Sequence, residues 1–150
     1  PGFNRWLDQR LLDEHFDFLT PEQVDELMAT ADKSSPAAAL KELLSRDNWY
    51  FDSALSDILK APLLRLCTHY LLFEKRAKHT AADSVAHFHL NNGARLEQLN
   101  WLADLSARGL KQSNGIMLNY LYDLKTIDTN HESYRAGEPV ITSAAVKNLL

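Results

Sequence analysis

One cysteine, Cys67, is present in 150 residues, so the chain holds no internal disulfide and no cysteine-based zinc site. It sits between Leu66 and Tyr70 on an apolar helical pattern, where a buried and inert thiol is expected rather than a nucleophile. No apolar run approaches the roughly 18 residues that a membrane span requires. The opening PGFNRW has neither the charged head nor the apolar stretch of a secretory signal. Basic blocks are missing as well. Lys and Arg total 16 against 20 Asp and Glu, a net charge of −4, which speaks against a face built to meet nucleic-acid phosphates. Neither a GxSxG nucleophile elbow nor a GxxxxGK[ST] phosphate loop occurs. A reducing, cytoplasmic setting is the default, with neither a membrane nor a nucleic-acid partner.

What is present is ordinary for a globular chain: 45% hydrophobic and 24% charged residues. A chain of this length forms one domain and buries roughly 70% of its unfolded surface.

The first half reads as helices. Thr20-Pro21-Glu22-Gln23 combines a cap, a proline at the first helical position and a capping-box glutamine. Val24, Leu27, Met28 and Ala31 follow as one apolar stripe. Ser35-Pro36 repeats the start signal before Leu40, Leu43 and Leu44, and Asp52 or Ser53 can cap a third helix carrying Leu55, Ile58 and Leu59. Pro62 is expected to open a central, buried helix through Phe73. Lys75, Arg76 and Lys78 would then serve the negative end of its dipole.

The character changes after Ala81. Alternation over Val85 to Leu90 suits a strand, sending His87 and His89 to one side and Phe88 and Leu90 to the other. Asn91-Asn92-Gly93 is a stop or turn signal. Leu96, Leu99 and Ala103 suit a helix, and the polar Ser106 to Gly115, with its two glycines, suits a loop. Ile116 to Tyr122 alternates as a second strand, residues 125 to 139 are irregular, and Ser143 caps a short final helix from Ala144 to Leu150. The fold class is α+β, helix-rich with a small sheet.

A His-x-His pair on one strand face can be half of a metal site, but His69, His79 and His131 offer no spacing that completes it. Gln112-Ser113-Asn114-Gly115 faintly matches the start of a pyrophosphate loop, and Ile116-Met117 then lacks the second small residue. His89, at a strand end beside a tight turn, is a candidate catalytic group, though spacing alone favours a structural or merely exposed histidine.

The run Phe88-His89-Leu90-Asn91-Asn92-Gly93-Ala94, then Leu96, Asn100-Trp101 and Ala103-Asp104, then Gly109-Leu110, Ser113, Gly115 and Asn119-Tyr120-Leu121-Tyr122-Asp123-Leu124, resembles the C-terminal part of the malonyl-CoA decarboxylase family. Pro1-Gly2-Phe3 and Pro62 to Cys67 also resemble family segments, so the likeness covers almost the whole chain. The resemblance implies the C-terminal half of a GNAT-like (acetyltransferase-like) catalytic domain. Residues 1–80 would be helical scaffold and residues 81–150 would bear the site. It implies conversion of malonyl-CoA to acetyl-CoA and carbon dioxide, without metal, biotin or other cofactor. The family's catalytic histidine maps onto His89 and a functional tyrosine onto Tyr122. Asn92 is a weaker candidate for substrate binding, and His87 has no counterpart.

The family's N-terminal helical domain, its catalytic serine segment and its CoA pyrophosphate loop all lie upstream of the part that this chain resembles. The expectation is therefore one portion of a larger enzyme and, as a homo-oligomer, an incomplete catalyst by itself. The alternatives are a non-catalytic acyl-CoA-binding or oligomerisation module and an acyltransferase relative with a changed reaction. A catalytic role predicts that His89 and Tyr122 share one open cleft. A structural role predicts both buried in apolar packing.

Overall fold

The computed structural model describes residues 1–150, and its first 73 residues are built from helices. They are α1 (Phe3–Arg10), α2 (Pro21–Ala31), α3 (Pro36–Ser45), a short 3₁₀ turn (Trp49–Phe51) and the long α4 (Ser53–Phe73). The start signals work as the sequence suggests. Thr20 and Gln23 form a reciprocal capping box on α2, the Ser35 hydroxyl accepts from Ala38 N on α3, and the Asp52 carboxylate accepts from Leu55 N on α4. Pro62 does not open a helix. It lies inside α4 and is fully buried, because Asp52 starts the helix earlier and apolar residues continue on both sides of the proline. Leu59, Leu63, Leu66 and Cys67 of α4 are buried with Leu7, Leu27, Leu40 and Leu43 from the three preceding helices.

The basic cluster does not cap α4, which ends at Phe73 with no basic residue in its last turn. Lys75, Arg76 and Lys78 instead decorate an exposed hairpin of β1 (Lys75–Ala77) and β2 (Thr80–Ala81).

Four assignments in the second half change. Val85 to Leu90 is helix, within α5 (Ser84–Asn91). The Asp83 carboxylate caps it, accepting from Val85 N and Ala86 N at 3.0 Å each. Ala86 and Leu90, four apart, are its buried face, so the alternation seen in the sequence was a fragment of helical spacing.

The reverse holds for Arg95–Asn100, which is strand β3. A bulge between Leu96 and Gln98 shifts its register, so Leu96 and Leu99, three apart, both turn inward and imitate a helix. Its antiparallel partner is β4 (Met117–Leu121), as the sequence predicts. The expected loop between them contains α6 (Ala107–Ser113), whose Ser106 hydroxyl accepts from Gly109 N at 3.1 Å.

The polar stretch after Lys125 holds α7 (Ile127–Ala136), and Ser143 caps α8 (Ala144–Lys147). α7 buries Asn130 and Tyr134 rather than an apolar stripe, so periodicity could not reveal it. The opposite edge of β3 is held by Leu96 N on Ile141 O and Ser143 N on Leu96 O, whereas β4 pairs on one edge only. The observed class is α+β, helix-rich, with two small antiparallel sheets. No helix is long and apolar enough to cross a membrane.

Candidate active site

Helical geometry separates the two histidines of α5. Residues two apart on a helix point roughly 200° apart, to opposite faces. His87 faces α7, with Nδ1 2.8 Å from the Tyr134 hydroxyl. That hydroxyl also accepts from Ala81 N at 2.9 Å, so Tyr134 ties α5, α7 and β2 together. The one-sided His-x-His arrangement is therefore absent, and no group of three or more His, Cys, Asp or Glu side chains is gathered where it could hold a metal ion.

His89 faces β4. Its Nδ1 lies 2.8 Å from the Tyr122 hydroxyl. Its ring stacks on Tyr120, with centroids 4.2 Å apart and planes inclined by 19°. Phe88 meets the imidazole edge-on at 5.3 Å. Tyr120 and Tyr122 reach the same histidine because residues two apart on an extended chain share a face. Tyr122 is 41% exposed and Phe88 62% exposed, so the constellation opens to the surface rather than lying in apolar packing.

Beside His89 lies a cavity of about 340 Å³, lined by Phe3, Cys67 and Tyr70 from the helical part and by Asp83, His89 and Tyr120 from the rest. The site thus forms where the two halves of the sequence meet. Burial pushes the hydroxyls of Tyr70 and Tyr120 well above their usual range, with the nearby Asp83 charge adding to it, so both are neutral donors at neutral pH. The Cys67 thiol is pushed up the same way, chiefly by burial, and is an inert wall of the cavity. Arg108 is the single Lys or Arg lining it. The Tyr120 hydroxyl is buried and has no hydrogen-bond partner.

The Asn-Asn-Gly run serves the end of α5. Asn92 donates its amide N–H to Phe88 O at 2.7 Å, which leaves its side-chain oxygen as the group it can offer a substrate. Gly93 adopts φ +87°, and a Cβ there would collide with the Ile127 carbonyl of α7. Asn130 of α7 donates to Gly93 O at 3.1 Å. Gln112 and Ser113 form the end of α6, and Ser113 spends its hydroxyl proton on backbone carbonyls. Sequence reasoning overlooked Tyr120, although its two-residue spacing from Tyr122 in a strand was the available signal.

The comparisons agree with one another. The family described as "Malonyl-CoA decarboxylase C-terminal domain" matches residues 1–150. "Malonyl-CoA decarboxylase, mitochondrial" of Mus musculus is 36% identical, covering 100% of this chain and 31% of its own length. The protein of the same name from Anser anser anser is 35% identical over 97% of this chain and 30% of its own length. Among solved structures, malonyl-CoA decarboxylase from Rhodopseudomonas palustris superposes with a TM-score of 0.83 at 36% identity, over 99% of this chain and 31% of that one. The enzyme from Agrobacterium vitis gives 0.78 at 39% identity, over 99% of this chain and 33% of that one. The chain spans about 30% of the length of the curated relatives it matches.

Proposed function

The chain belongs to the malonyl-CoA decarboxylase family, and from that premise we propose that it supplies the proton-donating part of an enzyme converting malonyl-CoA to acetyl-CoA and carbon dioxide. In that reaction the bond between C2 and the carboxylate carbon breaks, carbon dioxide departs, and the electron pair passes into the thioester as an enolate. The thioester carbonyl is itself the electron sink. The protein therefore has to bind the thioester, stabilise its oxyanion and deliver one proton to C2.

His89 is the donor in this reading. The observation that carries it is the 2.8 Å contact between His89 Nδ1 and Tyr122 beside the cavity. With Nδ1–H donating to the tyrosine oxygen, Nε2 is the nitrogen left for substrate. It gives its proton to C2 and is reprotonated from solvent, while the Nδ1 hydrogen bond is kept throughout. A protonated imidazole can make that transfer as a general acid. Asn92, with its amide oxygen free, remains a lesser candidate for contact with substrate.

The finer fold assignment belongs to the same reading: β3, β4 and their helices form the C-terminal half of a GNAT-like domain, with residues 1–80 as its helical scaffold. Two features support a continuation of the site beyond these residues. β4 has an unpaired edge, and the exposed Val85 and Met117 line the cavity. The family's serine segment and CoA loop would complete it. The single buried cysteine fits a reducing, cytoplasmic setting.

The test is carbon dioxide release from malonyl-CoA by the full-length enzyme and by His89→Ala. A general acid contributes roughly 10²- to 10⁴-fold, so kcat should fall at least about a hundredfold. An unchanged rate removes His89 from the mechanism, and an inactive wild type removes the decarboxylase reading.

A further inference from the structure

A single hydrogen bond does not fix an imidazole. The Cβ–Cγ bond and the Tyr122 contact at Nδ1 restrain the His89 ring, but one hydrogen bond tolerates some rocking about the side-chain torsions, and Nε2 shifts with it at the cavity mouth. The face contact with Tyr120 removes that freedom. The two rings are 4.2 Å apart and within 19° of parallel, close to the stacked geometry that aromatic pairs favour when offset.

The platform is itself packed into the sheet. Tyr120 sits in β4 opposite Leu96, which is fully buried, and its hydroxyl lies below the surface with nothing to bond. Nothing polar pulls the side chain in another direction, and the packing around its tip keeps the ring in place. Burial also keeps that hydroxyl protonated, so the face offered to His89 does not change with pH in the working range.

We propose that Tyr120 is a positioning residue of the reaction: its ring, stacked on His89, sets the plane of the imidazole and so aims Nε2 at the carbon to be protonated. Tyr122 holds the ring by its edge and Tyr120 by its face. The role rests on His89 acting as the proton donor, as proposed above. It goes beyond that reading by making the aromatic ring, and not the hydroxyl, the part of Tyr120 that matters.

The experiment compares Tyr120→Phe, which keeps the ring, with Tyr120→Leu, which removes it, in the full-length enzyme, with malonyl-CoA as substrate. A displacement of about 1 Å at a reacting group can lower the rate by roughly 10²-fold. The expected result is a kcat lowered roughly 10- to 100-fold in Tyr120→Leu, with KM within about threefold of wild type. Tyr120→Phe should stay within about threefold of wild type, since the buried hydroxyl has no partner to lose.

A double variant separates positioning from general support of the fold. Adding Tyr120→Leu to His89→Ala should cause no further loss, because the residue acts only through the histidine. A further loss equal to that seen in the wild-type background overturns the proposal, as does a Tyr120→Leu enzyme with wild-type kcat or a Tyr120→Phe enzyme as impaired as the leucine variant. If Tyr120→Leu does not fold, Tyr120→Met serves in its place with the same outcomes. A wild-type enzyme that releases no carbon dioxide overturns the decarboxylase reading and this role with it, whereas an active one with an indifferent Tyr120 overturns the role alone.

Discussion

His89 and His87 stand two positions apart in one helix and do unrelated work. His87 is hydrogen-bonded to a tyrosine that is itself bonded to the backbone of β2, and its contacts are structural. His89 makes its contacts at the edge of a cavity, with its second nitrogen uncommitted among the hydrogen bonds of the fold. Spacing alone could not separate them; the helix does, by turning them to opposite sides. At this scale Tyr122→Phe is the informative substitution. It removes one hydrogen bond of ordinary strength, about 0.5–1.5 kcal/mol, so kcat should drop by about tenfold at most, with KM close to wild type in steady-state assays. A loss as deep as that of His89→Ala would mean that Tyr122 itself exchanges a proton with the substrate.

The elements show where sequence reading succeeded and why it failed. Helix starts in the first half were legible because caps are local: Thr20, Ser35 and Asp52 each satisfy a backbone N–H within three residues. α5 and β3 were exchanged for each other, since six residues sample too little of either period and a bulge gave β3 a three-residue repeat. α6 and α7 went unseen because a glycine inside one and polar buried residues inside the other hid the usual stripe. The resemblance identified His89 and Tyr122 without the local structure being right, as motif order survives an error in element type. The Asn-Asn-Gly signal was legible as a stop or turn: α5 ends at Asn91, and Asn92 and Gly93 form the turn, where Gly93 lets α7 approach. Gly93→Ala meets both an unfavourable φ and the Ile127 carbonyl. It should destabilise the fold by about 1–3 kcal/mol, read as a lower denaturant midpoint, with the loss of α7 docking visible as faster amide exchange over residues 127–136.

For the molecule as a whole, one titration is built into the packing of α4 against the loop after α1. His69 lies between the rings of Phe18 and Phe73, and its Nδ1 is buried without a partner. Burial first, and the nearby Arg65 second, hold its pKa below the usual value. The folded state therefore binds this proton less readily than the unfolded one. Its stability contribution is complete above about pH 6.5 and is lost as the pH falls from there through the lowered folded value. His69→Phe should flatten the fall in stability between roughly pH 7 and pH 5, measured by urea melts at both ends; an unaltered slope would place that dependence elsewhere. The cavity described above has a consequence of another kind. Its walls come from Phe3, Cys67, His89 and Tyr120, so no contiguous stretch of the gene encodes it. During synthesis at about 5–20 residues per second, Cys67 and Tyr70 leave the ribosome roughly 3 to 10 seconds before the residues that close over them. For that interval the nascent chain shows an apolar surface to its surroundings, and the chaperones that meet it there would be guarding the floor of the future site.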